Sequence, residues 1–328
     1  MNQRLITVLL RRLLSSFVVL FLLISFVFVL IRLAPGDPAQ KFISPELSKE
    51  LAENVRASFG IDSPIHIQYI KFIGNIITGD LGVSYNYRST VLSIIFDHLP
   101  FTMIFASLSF IIQILIGFWL AVSTYKKKNS FYDKSINKLS LIGYSTPAYV
   151  LGVILIYFFS LQLKIFPSSD LQSFDFDELS TFAKLLDYAK HLALPLATLS
   201  LAGIVIFYKY LRDNLDSIEN KMFVTNLRAM GVNEKTILYR HIIPNAIGPM
   251  ISVAGIELGV LFSGALITEV IFGLPGMGRL TVNAIMLRDY PLVVGCSFVS
   301  GVLVIITNFT ADVIKVIIDK RLIKGMLN

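Results

Sequence analysis

The chain has 328 residues, 55% of them hydrophobic and 16% charged, with a mean hydropathy of +0.70, whereas soluble domains run at roughly 45–50% apolar and about 25% charged. A water-soluble protein would have to hide that surplus in one core, so lipid is the simpler solvent. The net charge of +7 comes from cations at the ends of apolar runs rather than in a stripe, which argues against nucleic acid, and Cys296 is the single cysteine. With no disulfide framework possible, and with His66, His98, His191 and His241 showing no HxxxH or HExxH spacing, metal chemistry is not expected and no cofactor is implied.

Leu13 to Ile31 is a charge-free run of 19 residues between Arg12 and Arg32, close to the length that crosses about 30 Å of hydrocarbon. It exceeds the apolar core of an ordinary secretory leader, so a retained first span is expected. Further spans are expected over Leu99 to Tyr125, Leu139 to Leu163, Leu192 to Tyr208, Ile242 to Thr268 and Tyr290 to Ala311. Six spans put both termini on one side. The termini and the Lys126–Lys138 and Lys209–Arg240 segments carry 18 of the 29 Lys and Arg, and six of the others lie in one long loop, where they count little. Both termini are therefore expected to be cytoplasmic. The natural boundary separates 1–97, a span with a large outer loop, from a five-span body over 98–328.

Residues 222–244, MFVTNLRAMGVNEKTILYRHIIP, read as a cytoplasmic two-helix hairpin. Phe223, Leu227 and Met230 form one apolar stripe that ends at Gly231, a left-handed stop. Asn233 caps the next helix, Glu234 favours its positive end, and Pro244 opens the following span. Such a hairpin can pack back on its own protein or enter a partner's groove. The nearest approach to a phosphate-binding loop, Gly273 to Leu280, has Arg279 for Lys and Leu280 for the hydroxyl residue, so no ATP site and no catalytic residue is expected in this chain.

The hairpin resembles the EAA coupling loop of binding-protein-dependent ABC import permeases, which carries a Gly after an EAA triplet and a Pro about thirteen residues beyond. Gly231 and Pro244 match. Arg228-Ala229 and Arg240-His241-Ile-Ile-Pro-Asn-Ala246 look like the peptide-importer variant, while Thr225-Asn226-Leu227 stands where the triplet falls. Leu33-Ala-Pro-Gly-Asp-Pro38, Gly60-Ile-Asp62, Gln68-Tyr69, Gly79-Asp-Leu-Gly82, Ser84-Tyr85, Glu269, Phe272, Pro275-Gly276, Gly278 and Arg288-Asp-Tyr-Pro291 follow the same family in order. The group it most resembles is the first permease subunit of dipeptide, oligopeptide and nickel importers. That resemblance implies an all-α bacterial inner-membrane protein with a second homologous permease, two cytoplasmic ATPases and an extracytoplasmic solute-binding protein as partners. It also implies that Phe223, Leu227, Arg228, Ala229, Gly231, Asn233, His241 and Pro244 meet the ATPase.

Glu257, in the middle of the fifth expected span, must face protein or a watered path; a place on the translocation path and a hydrogen-bonded packing role are both open. Glu269 and Asp312 are expected at span ends, with Arg279 or Arg288 within reach of the former and Lys315 and Asp319 near the latter. Pro275-Gly276 reads either as a gate element or as a plain turn. Pro147 and Pro195 are expected to kink their helices. A proton- or sodium-driven transporter titrating Glu257 is the rival class, but duplicated halves are not evident.

Overall fold

The computed structural model describes residues 2–33, 64–262 and 265–318. Leu33 to Pro38 beyond its first residue, Gly60-Ile-Asp62, and the side chains of Lys315 and Asp319 lie outside the described residues. Within them the regular structure is helical apart from one isolated antiparallel bridge between Val83 and Thr90, with turns and loops between the helices.

Among the described residues thirteen α-helical segments carry the architecture. They are α1 (Asn2–Leu33), α2 (Ile65–Ile77), α3 (Val91–Lys126), α4 (Phe131–Ser145), α5 (Ala148–Leu155, prolonged by a π-helical Ile156–Gln162), α6 (Thr181–Glu219), α7 (Met222–Ala229), α8 (Glu234–Thr236), α9 (Ile243–Ile247), α10 (Met250–Phe262), α11 (Leu266–Ile271), α12 (Met277–Met286) and α13 (Tyr290–Ile318). Among the described residues five stretches are long and apolar enough to cross a bilayer: Leu10–Leu33, Val91–Lys126, Thr181–Glu219, Met250–Ile271 and Tyr290–Ile314. A sixth is reached only if α4 and α5 count as one span despite a bend of 104° between them. That bend corrects the kink expected at Pro147. Thr146 is extended and Pro147 stands before the first turn of α5, because proline excludes the helical conformation from the residue before it. Pro195, by contrast, is carried inside α6.

The main body is the α3–α6 pair, followed by α10 against α13. Small and polar residues let these backbones close up. Gly203 leaves room for the Gln113 side chain, and Ser109 and Ser200 share a hydrogen bond of 2.9 Å between hydroxyls. Gly255 and Gly259 admit Ala311 and Thr307 of α13. Leu20, Ile24 and Phe28, four residues apart, are the buried stripe of α1, which packs on α13. Phe17, Val18, Phe21, Leu22 and Phe26 point outward, as a lipid-facing helix requires. Asp312 of α13 pairs with Arg12 of α1.

α6 is 39 residues long, about 58 Å at 1.5 Å per residue, so it reaches beyond the bilayer. The loop before it is tied to its first turns. Ser173 donates to Asp187 through both N–H (2.9 Å) and Oγ (2.6 Å), and His191 Nδ1 lies 2.9 Å from the Asp170 carbonyl. The Asp170 N–H in turn donates to the Phe272 carbonyl at 2.9 Å, joining this end to the α11–α12 turn. At the other end of α6 lies the 222–244 hairpin.

Candidate functional site

The hairpin's turn is built by backbone hydrogen bonds. Gly231 N–H donates to the Arg228 carbonyl at 3.0 Å and Val232 N–H to the Leu227 carbonyl at 3.1 Å, the paired bonds of a Schellman stop. Gly231 has φ +76°, the left-handed region in which a Cβ is costly. Asn233 then accepts the Lys235 N–H at 2.8 Å and starts α8. After it the helix is π-helical over Ile237–Ile242 and runs into α9, which holds Pro244. Proline lacks an N–H and crowds the carbonyl four residues back, and a wider π turn relieves that clash. Asn245 Nδ2 donates to the His241 carbonyl at 2.6 Å. Pro244 therefore lies in α9, and the spanning helix begins only at Met250.

The face of the hairpin that meets the protein differs from the expected stripe. Val224 is fully buried and Leu227 packs beside it, within a core shared with Phe207, Leu211 and Leu215 of α6, Ala121 of α3, and Ile237, Leu238 and Ile242. Full burial of a valine contributes roughly 1.5–3 kcal/mol. Met222 and Met230 are 79% and 70% exposed and Phe223 is 37% exposed. Only Leu227 of the expected stripe faces inward. Periodicity finds apolar faces but does not say which of two meets the chain's own core.

Charges then fix the hairpin against α6. Arg228 donates from Nε to Glu234 Oε1 at 2.7 Å and from Nη2 to Glu234 Oε2 at 3.2 Å and Glu219 Oε1 at 3.1 Å. Lys128, just after α3, reaches Asp216 at 2.7 Å and Glu219 at 3.2 Å. Arg212, nearly buried, holds Asp216 and lies 3.8 Å from Asp133 of α4. Hydrogen bonding to Glu234, with a further contribution from Glu219 set against partial burial, pushes the Arg228 pKa above its ordinary value. Together these pairs run from α4 through α6 to both halves of the hairpin. A cavity of about 480 Å³ opens beside them, between Tyr125, Lys126, Lys235 and Tyr239. Glu219 and Lys128 were not anticipated from the sequence.

At the far end of α6, Glu269 is fully buried, not at a watered span end, and among the described residues no guanidinium pairs with it. Its Oε1 accepts from Thr102 Oγ1 at 3.0 Å, and Oε2 accepts the N–H groups of Gly278 at 2.7 Å and Arg279 at 3.0 Å. Thr102 Oγ1 also accepts the Met277 N–H at 2.8 Å. The first three N–H groups of α12 are thus satisfied from α3 and α11, and the carboxylate sits at the positive end of the helix. A Cβ on Gly276 would lie 2.2 Å from the Glu269 carboxyl carbon, and one on Gly278 2.5 Å from Leu266 Cα. The Arg279 guanidinium turns instead to the Gly273 carbonyl. Pro275 itself is exposed.

Glu257 is half-buried in α10, and no hydrogen bond or ion pair joins it to another described residue. The structure does not bring it near Glu269 or the hairpin into one reacting cluster. Among the described residues no group of His, Cys, Asp and Glu could hold a metal ion. What the arrangement offers is mechanical: a rigid long helix, a docked hairpin with an uncovered apolar face at one end, and a packed glycine-lined turn at the other.

Residues 113–324 match the family model for the binding-protein-dependent transport system inner membrane component, and residues 5–106 match the N-terminal model of the same systems. A putative peptide permease of Brucella suis biovar 1 is 34% identical over 316 residues, covering 95% of this chain and 98% of the relative. An oligopeptide transport system permease protein of Bacillus subtilis is 32% identical over 313 residues, covering 95% and 98%. Among solved structures, the MetNI methionine ABC transporter in an inward-facing conformation aligns with a TM-score of 0.53 at 17% identity, over 70% of this chain and 97% of that one, a likeness of fold. The chain belongs to the binding-protein-dependent transport system inner-membrane component family.

Proposed function

We propose that this chain is one permease subunit of an ATP-driven importer of di- or oligopeptides. The peptide assignment rests on relatives described as peptide and oligopeptide permeases. A second, related permease would complete the path, two separate ATPases would supply energy, and a solute-binding protein would deliver cargo. Counting α4–α5 as one span gives six spans, and the Lys and Arg distribution sets both termini in the cytoplasm of a bacterium. Residues 1–97 and 98–328 are the two units of this reading.

In this account ATPase closure pushes the 222–244 hairpin. Val224 and Leu227 share a core with α3 and α6, so the displacement passes to those helices as a body and tilts them between two discrete packings. Arg228, Gly231, Asn233, His241 and Pro244 shape the hairpin, and Ala229 ends its first helix. Glu257, half-buried in α10 and without a polar partner among the described residues, is assigned to the translocation path. Glu269, Pro275 and Gly276 form a firm hinge at the opposite end.

The observation that carries the reading is the outward face of Met222, Phe223 and Met230 on a hairpin whose other face is buried. A photo-crosslinking residue at Phe223 in the native membrane is expected to capture a cytoplasmic ATPase. Capture of lipid alone, or of this chain alone, would remove the basis for the assignment.

A further inference from the structure

The stretch between α1 and α3 is expected to be an outer loop, yet α2 within it packs against the apolar span of α1. Tyr69 Oη lies 2.6 Å from Ser25 Oγ, and Phe28 packs against the rings of Tyr69 and Phe72 with centroids 5.3 and 5.0 Å away. Ser25 is seven residues before Arg32, about 10 Å inside the apolar span. α2 therefore runs alongside a part of α1 that lies within the bilayer.

Its sequence, IHIQYIKFIGNII, contains no acid and no buried residue. Ile70 and Ile77, seven residues apart on one face, are 68% and 80% exposed. Each would cost roughly 1.5–3 kcal/mol if left in water. Lys71, Asn75 and Gln68 take the opposite arc. That pattern is the one an in-plane helix shows at the boundary of headgroups and acyl chains, and the exposed isoleucines continue the lipid-facing surface of α1.

The polar arc faces a cavity of about 270 Å³ between α1, α2 and the start of α13. Arg32 and Lys71 line it, with Arg32 also stacked over Phe28 at 5.5 Å. Neither cation has an ion-pair partner among the described residues. Asp80, the acid in the lining, accepts the Gly82 N–H at 2.8 Å. Phe72, Ile31 and Val294 supply apolar walls. We propose that α2 lies in the leaflet at the far end of α1 from the N-terminus, and that this cavity seats the phosphate of an anionic glycerophospholipid between Arg32 and Lys71.

The test uses the full chain in the assembly with which it purifies, with Trp119→Phe removing this chain's one tryptophan, Ile70→Trp as reporter and the signal of the Trp119→Phe assembly subtracted as background; Ile77→Trp serves if the first variant does not fold. Bilayers contain phosphatidylcholine or phosphatidylglycerol with brominated chains. Strong quenching by bromine is expected, greater for phosphatidylglycerol, with that preference falling by roughly fivefold for each charge lost in Arg32→Gln and Lys71→Gln. Quenching by aqueous iodide would place α2 in water, and quenching by neither agent would mean that protein covers it; both overturn the proposal. Equal quenching by the two lipids, unaltered by the substitutions, would overturn the headgroup seat.

Discussion

Arg228 in the first helix of the hairpin reaches back to Glu219, the last residue of α6, with Nη2 3.1 Å from Oε1. The same guanidinium grips Glu234 in the second half of the hairpin through two bonds. One side chain thus ties both halves to the longest helix of the body.

Exposed ion pairs are individually worth about 0.2–1 kcal/mol, so the network rather than any single pair should matter. Glu219→Gln and Arg228→Gln are each expected to lower peptide uptake per ATP while leaving ATPase association intact. The double variant should be no worse than Arg228→Gln, a coupling of about 0.5–1 kcal/mol in a double-mutant cycle. Strict additivity would show that the two residues do not act together.

The cations of this network set the upper end of its pH range. Hydrogen bonding to Asp216 raises the Lys128 pKa above 10.5, and that of Arg228 is raised as well. A group with a raised folded-state pKa contributes fully below its unfolded value and loses that contribution as pH climbs through the raised value. Titration of these cations should therefore leave uptake per ATP unchanged between about pH 6 and 9. A fall within that window that vanished in Lys128→Gln would contradict this.

Gly231 has open space around its missing Cβ, so substitution acts through the backbone alone. Gly231→Val is expected to cost about 1–2 kcal/mol locally and to abolish uptake with the spans still inserted, as protease accessibility would report. Gly231→Asn, better suited to φ +76°, should retain much of the activity. Equal loss in both would point to a contact rather than to conformation.

Removing Glu269 leaves the N–H groups of Gly278 and Arg279 and one Thr102 bond without their acceptor. Each orphaned buried donor costs about 1–3 kcal/mol, so Glu269→Ala should lower the unfolding temperature markedly in detergent, and Glu269→Gln less, because its carbonyl still accepts. Gly278→Ala should also destabilise, since its Cβ would strike the Leu266 backbone. Unchanged melting in Glu269→Ala would refute the hinge.

For Glu257, Glu257→Gln is expected to preserve ATP-dependent uptake. Loss of uptake with the assembly intact would instead make the carboxylate a titrating group.

The hairpin was legible in the sequence because its determinants are local: Gly231 and Asn233 lie two residues apart and dictate the turn whatever surrounds them. Which face of α7 is buried was not legible, since Val224 with Leu227 and Phe223 with Met230 are equally apolar, and only α6 decides between them. The Glu269 site was hidden for a different reason, as Thr102 lies 167 residues away. Asp289, buried and bound by Ser84 Oγ and the Tyr85 and Asn86 N–H groups, is similarly beyond local pattern. At 13 residues, α2 is too short to read as a span, and its lipid-level position depends on Tyr69 meeting Ser25.

On the proposed function, this permease moves only when other chains hydrolyse ATP. Reconstitution in liposomes with a second permease, two ATPases and a binding protein, followed by uptake of a labelled peptide, tests it most directly. Accumulation is expected only when all components and ATP are present. Accumulation against a gradient by this chain alone would show that its motion does not depend on partner ATPases.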